Sequence, residues 1–116
     1  MKTIEIWHNP RCSKSRQALE LLKQKGVEPK ILLYLDTPPS AARIKEILGL
    51  LAIEPRELMR KQEPPYRELD LGNPARTPRE LVAALNEHPI LIERPIVIAG
   101  KRAVVARPPE RALELL

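Results

Sequence analysis

Two short apolar runs, Thr3 to Trp7 (TIEIW) and Lys30 to Leu35 (KILLYL), stand on either side of a single stretch with helical period. Between them Ala18, Leu19 and Leu22 recur at helix spacing, and Gly26 sits where a left-handed residue closes a helix. A strand, a helix and a second strand joined by so long a crossover make a parallel pair with a right-handed connection. Both strands are expected to lie in a buried half of a sheet.

The chain beyond Leu35 reads as two further segments of different character. Ser40 can cap a helix whose apolar face is Ile44, Ile47, Leu48 and Leu51, and Pro55 opens a short helix ending near Leu58, Met59 and Arg60. Pro64-Pro65 is expected to interrupt the chain, with a turn or two over Tyr66 to Leu71. Thr77-Pro78-Arg79-Glu80 joins a capping box to a first-turn proline and starts a helix faced by Leu81, Val82 and Leu85, which Pro89 ends. The period then changes. Ile96 to Ala99 and Arg102 to Val105 read as strands joined at Gly100-Lys101, and Pro108-Pro109 opens a last helix with Ala112, Leu113 and Leu116 inward. The order βαβ, helical insertion, ββα is that of an α/β thioredoxin-like fold with a mixed sheet. One domain over residues 1–116 is expected, with the insertion at about 40–88.

Composition narrows the partners. The chain has no phenylalanine, so its core rests on Leu, Ile, Val and Ala, and its one cysteine cannot close an internal disulfide. A lone thiol behind an N-terminus, MKTIEIW, that lacks a signal-peptide core points to a reducing cytoplasm. No run has the length of a membrane-spanning helix. The net charge of +5 raises the question of nucleic acid, but the basic residues alternate with acids and only three aromatic residues are present to stack on bases. A solvated mixed-charge surface is expected, with neither nucleic acid nor membrane as partner.

The cysteine itself, Cys12, lies in His8 to Arg16 (HNPRCSKSR), between the first strand and the first helix. Asn9-Pro10 supplies the turn, so Cys12 falls at or just before a helix N-terminus, where unpaired N–H groups favour a thiolate. Lowering a thiol pKa from ~8.5 to ~6.5 takes ~2.7 kcal/mol, and a helix end supplies only ~0.3–2 kcal/mol. Neighbouring groups must provide the rest. Arg11, Lys14 and Arg16 put cations where the helix dipole prefers acids, an arrangement suited to a bound anion, and His8 and Ser15 add donors.

Taken together, HNPRCSKSR, LMRKQEPPY, HPILIERPIVI and ARPPE occur in the order of the corresponding segments of the glutaredoxin-coupled arsenate reductase family, and the chain resembles that family over nearly its whole length. The resemblance implies that Cys12 is the nucleophile, that Arg60, Arg94 and Arg107 hold the oxyanion, and that His8 and Ser15 support the thiolate. It further implies that Pro95 follows a cis peptide bond and turns Arg94 toward Cys12, although an X-Pro bond taken alone is usually trans. The chain stops directly after its last helix and in this is similar to the family's shorter branch.

The implied activity is reduction of arsenate to arsenite through a thiol–arsenate adduct on Cys12, with glutathione as co-substrate, glutaredoxin as partner and no bound cofactor. One cysteine and two separated histidines make no metal-site pattern. A phosphatase-like reductase with a C-x5-R loop is excluded, because Ala18 stands six residues after Cys12 and no second cysteine exists. The alternative of another class is an Spx-like interaction protein that binds RNA polymerase and senses oxidation through C-x-x-C; here Ser15 holds the second cysteine's place. A thiol reductase acting on another oxyanion or on a glutathionylated protein shares the same residues.

Overall fold

The computed structural model describes residues 3–116; Met1 and Lys2, the head of the segment read as lacking a signal-peptide core, lie outside the described residues. The chain divides into two compact units, one made of the segment before Pro38 together with Arg94–Leu116, the other of Pro38–Glu93.

In the first unit β1 (Ile4–Trp7), α1 (Ser13–Gln24) and β2 (Lys30–Leu32) form the parallel strand–helix–strand unit read from the sequence, and β3 (Ile96–Ala99) and β4 (Arg102–Val105) form a hairpin. The sheet order is β2-β1-β3-β4, with β1 parallel to β2 and antiparallel to β3. This is the mixed sheet of a thioredoxin-like fold. Gly100 turns the hairpin at φ +61°, a conformation an L side chain resists, and lets Ala99 pair with Arg102. Gly26, at φ +78°, ends α1 in the same left-handed region, and the Val27 amide then returns to the Leu22 carbonyl.

Strand alternation decides where the core sits. Ile4 and Ile6 share a face with their partners Ala99 and Val97, and onto that face pack Ala18 and Leu22 of α1 and Ala112 and Leu115 of the C-terminal segment. Leu22 is fully buried there. Leu22→Ala should cost ~2–5 kcal/mol, the range for emptying a filled core position, read as a lowered denaturation midpoint in urea. A loss below ~1 kcal/mol would mean that the site collapses around the gap.

This unit departs from the sequence expectation at two segments, the run after Pro29 and the last helix. The run KILLYL is not a six-residue buried strand: β2 stops at Leu32, the Asp36 and Thr37 amides both fold back onto the Leu33 carbonyl, and Ile31, Leu33 and Leu35 are 44%, 39% and 39% exposed. Only Tyr34 of this stretch is buried. The reason is position, since β2 is the outermost strand and lacks a neighbour on one side. The last helix is a 3-10 helix over Pro109–Leu115, so its buried residues fall every third place at Pro109, Ala112 and Leu115. Leu113 and Leu116, inward on an α-helical period, are displaced, and Leu116 is exposed.

The second unit is helical. Ser40 caps α2 (Ala41–Leu51) by accepting from the Arg43 amide, and Thr77 and Glu80 close the capping box of α4 (Pro78–Glu87). Ile44, Ile47 and Leu48 of α2 and Leu81, Val82 and Leu85 of α4 are buried, with Leu58, Leu91 and Ile92 from the connecting segments. Pro64-Pro65 does not interrupt the chain but opens α3 (Pro64–Glu68). A helix's first amides have no intrahelical acceptor, so two prolines in the first turn forfeit nothing.

Candidate active site

The loop after β1 places the cysteine. The His8 amide donates to the Leu32 carbonyl at 2.9 Å and fixes the start of the loop on the sheet. Asn9 then shapes the turn, its carbonyl accepting from the Cys12 amide at 3.0 Å and its side-chain Oδ1 from the Arg11 amide at 3.0 Å. Cys12 is thereby the N-cap of α1, with extended backbone (φ −95°, ψ 121°) and a carbonyl that accepts the Arg16 amide.

At an N-cap the side chain lies over the second and third amides of the helix, the place Ser, Thr or Asp ordinarily fills. Here those amides belong to Lys14 and Ser15. Burial pushes the Cys12 thiol up, but the Ser15 amide, the hydrogen bond and charge of the Arg94 guanidinium and the Lys14 amide together outweigh it, and the thiol is held below its ordinary value. The lowering does not come from the cations next in sequence. Arg16 turns away to donate to the Pro10 carbonyl at 2.8 Å, and the effective cation is Arg94, brought from the distant end of the chain.

Arg94 and Arg107 are joined through the main chain. Both precede cis peptide bonds, Arg94-Pro95 and Arg107-Pro108, and Arg107 Nη1 donates to the Arg94 carbonyl at 3.1 Å. The Ala106 amide also donates to the Pro95 carbonyl, at 2.9 Å. The second cis bond was not read from the sequence; Arg107-Pro108-Pro109 carried no signal that separated it from an ordinary helix-opening proline pair.

His8 and Ser15 form a buried pair, with Nδ1 2.6 Å from Oγ, and Oγ also accepts the Asn9 amide at 3.0 Å. Burial, with the charges of Lys23 and Arg16, lowers the His8 pKa, so the imidazole is neutral at pH 7 and brings no cation to the thiolate. With its hydroxyl engaged in this way, Ser15 acts on the sulfur through its main-chain amide. The His8–Ser15 side-chain pair thus braces the loop that carries Cys12, while the direct action on the thiol is that of the Ser15 amide.

Arg60 belongs to the helical unit. Its amide donates to the Leu91 carbonyl at 2.7 Å beside the Met59–Ile92 bridge, and its Nη1 lies 2.6 Å from Oε1 of Glu63. Glu63 was missed in the sequence reading, although its place three residues beyond Arg60 is a common ion-pair spacing. An oxyanion taken by Arg60 would share the guanidinium with this carboxylate. Among the described residues no group of three or more His, Cys, Asp or Glu side chains could hold a metal ion, and no helix is long and apolar enough to cross a membrane.

The geometry gives a direct test. The rate of Cys12 alkylation by iodoacetamide should rise with pH to a midpoint below that of free cysteine, because only the thiolate reacts. Arg94→Ala should move that midpoint up, and Ser15→Ala, which keeps the amide, should move it less. An equal or larger shift in Ser15→Ala would mean that the hydroxyl, not the amide, reaches the sulfur.

Known proteins resemble this chain over nearly its full length. The model of the ArsC family matches residues 7–115. An Escherichia coli K12 protein known as the uncharacterized protein YfgD is 47% identical over 116 residues, covering 99% of this chain and 98% of its own. A Neisseria meningitidis serogroup A protein named arsenate reductase is 46% identical over 111 residues, 95% of each chain. The solved structure of an arsenate reductase from Vibrio cholerae superimposes with a TM-score of 0.96 at 45% identity, covering 99% of this chain and 98% of that one. With its family model spanning nearly the full length and relatives this similar end to end, the chain belongs to the ArsC family.

Proposed function

We propose that the protein reduces arsenate to arsenite, with Cys12 as nucleophile and glutathione and glutaredoxin as the source of electrons. The observation that carries the reading is the Cys12 thiol at a helix N-cap with the Arg94 guanidinium on it, in a member of a family that includes relatives named arsenate reductase. A thiolate that meets a guanidinium fork is suited to attack on a tetrahedral oxyanion.

The steps follow from the groups available. The Cys12 thiolate attacks arsenic and displaces hydroxide or water, forming a sulfur–arsenic bond, while Arg94 neutralises charge on the oxyanion next to the reacting sulfur. Arg107, bonded to the Arg94 carbonyl, adds its own charge, and the family resemblance gives Arg60 as a third cation for the anion. Glutathione then contributes the second thiol. Arsenic(V) gains two electrons, one from each sulfur, and arsenite leaves as Cys12 and glutathione end as a mixed disulfide that glutaredoxin reduces. Protons for the departing oxygens come from solvent and from the incoming thiol.

No bound cofactor or metal enters these steps, and glutathione acts as a co-substrate. The compartment that keeps both thiols reduced is the cytoplasm. Purified protein given arsenate, glutathione, glutaredoxin and glutathione reductase should consume NADPH in proportion to arsenate, and Cys12→Ser should consume none. Wild-type protein that fails to turn over arsenate under these conditions yet cleaves glutathionylated proteins would make the substrate a mixed disulfide instead.

A further inference from the structure

A cleft of about 860 Å³ opens in the helical unit between α2 and α4, lined by none of the residues of the thiol site. Its walls are mostly apolar, among them Ala42, Leu48, Pro55 and Val82. Two cations line it, Lys45 from α2 and Arg79 from α4, and no acidic residue does.

The charges nearby are distributed unevenly. Glu46, next to Lys45 in sequence, is ion-paired with Arg43, and Glu80, next to Arg79, lies 3.0 Å from Arg76. Each of these carboxylates is thus held by an arginine of its own segment. Lys45 and Arg79 have no carboxylate partner among the described residues. The cleft consequently carries two uncompensated positive charges above an apolar floor.

The donors present select among anions. Thr77, the one hydroxyl residue of the lining, is committed to the α4 capping box, its Oγ1 accepting the Glu80 amide at 3.2 Å and donating to the Glu80 carboxylate at 3.1 Å. A phosphate or sulfate would therefore find charge without the several neutral donors it needs, and would leave the apolar wall bare. An acid with one carboxylate and a hydrocarbon body satisfies both halves. A cleft of this size with few polar groups lies in the ~300–1,000 Å³ range of small-molecule sites.

We propose that this cleft binds a medium-chain aliphatic carboxylate, its chain against Leu48, Pro55 and Val82 and its carboxylate met by Lys45 and Arg79. The cleft shares no lining residue with the thiol site, so its test needs no turnover. Isotope-labelled protein is titrated with decanoate below its micelle concentration and followed by amide chemical shifts. Saturable shifts centred on Ala42, Lys45, Val82 and Ala83 are expected, with decylammonium, the same chain with opposite charge, giving none that saturate. Lys45→Glu and Arg79→Glu should each weaken decanoate ~10-fold or more, as for a lost charge-assisted contact. Both variants lie on exposed positions, and an unchanged amide spectrum away from the cleft shows that they fold. Shifts spread over the surface, equal binding of decylammonium, or wild-type affinity in both charge-reversal variants would overturn the proposal.

Discussion

Thioredoxin and thioredoxin reductase, offered without glutathione, should support at most one arsenate turnover per enzyme molecule, whereas glutathione with glutaredoxin should sustain it. The argument is one of electron count. Reduction of arsenate takes two electrons, and a thiol that gives one must end joined to a second sulfur. The chain contains one cysteine, so that sulfur has to arrive from outside. An enzyme with its own resolving cysteine could close a disulfide and pass it to thioredoxin; Cys12 has no such partner within its chain. With glutaredoxin omitted, mass spectrometry of the stalled enzyme should find a single glutathione on Cys12. Continued turnover on thioredoxin alone, or a stalled enzyme with an unmodified Cys12, would overturn this route even with arsenate as the substrate.

Arg94→Lys should lower kcat/KM by ~10–100-fold, the loss of a charge-assisted bond of ~1.5–3 kcal/mol. Lysine keeps the charge and loses the planar fork, and the fork is what lets one side chain serve the sulfur and an oxyanion together. The circular dichroism spectrum should be unaltered, since the Arg94 main chain is held independently by the Arg107 side chain at its carbonyl. The alkylation midpoint of Cys12 should also rise, though less than in Arg94→Ala, because an ammonium still faces the sulfur. Wild-type kinetics in the lysine variant would place Arg94 outside the reacting centre.

The position of Cys12 at a helix start was legible because everything that makes it is local: Asn9-Pro10 turns the chain, and the period of Ala18 and Leu22 sets the helix. The group that acts on the thiol was legible only through family resemblance. Arg94 reaches Cys12 because β3 pairs with β1, and no spacing along the chain records that pairing. Arg11, Lys14 and Arg16 mislead for the converse reason, being near in sequence while Arg16, for one, spends its guanidinium on the Pro10 carbonyl. Burial was misread where the backbone departs from its usual period or partner. Leu116 faces out because the last helix advances three residues per turn, and Ile31 is open because β2 is outermost.

That outermost strand also governs how the protein behaves in a crowded solution. An edge strand with half-exposed Ile31, Leu33 and Leu35 in or beside it is a template on which another chain could add a strand, the usual origin of aggregation in sheet proteins. Three features limit it: β2 is only three residues long, Pro29 withholds an amide just before it, and Lys30 sets a charge on it. Brevity and charge therefore guard this edge of the sheet. Solubility engineering has a natural address at Ile31, the partner of Ile6 at the open rim of that face, where a second lysine would extend the guard.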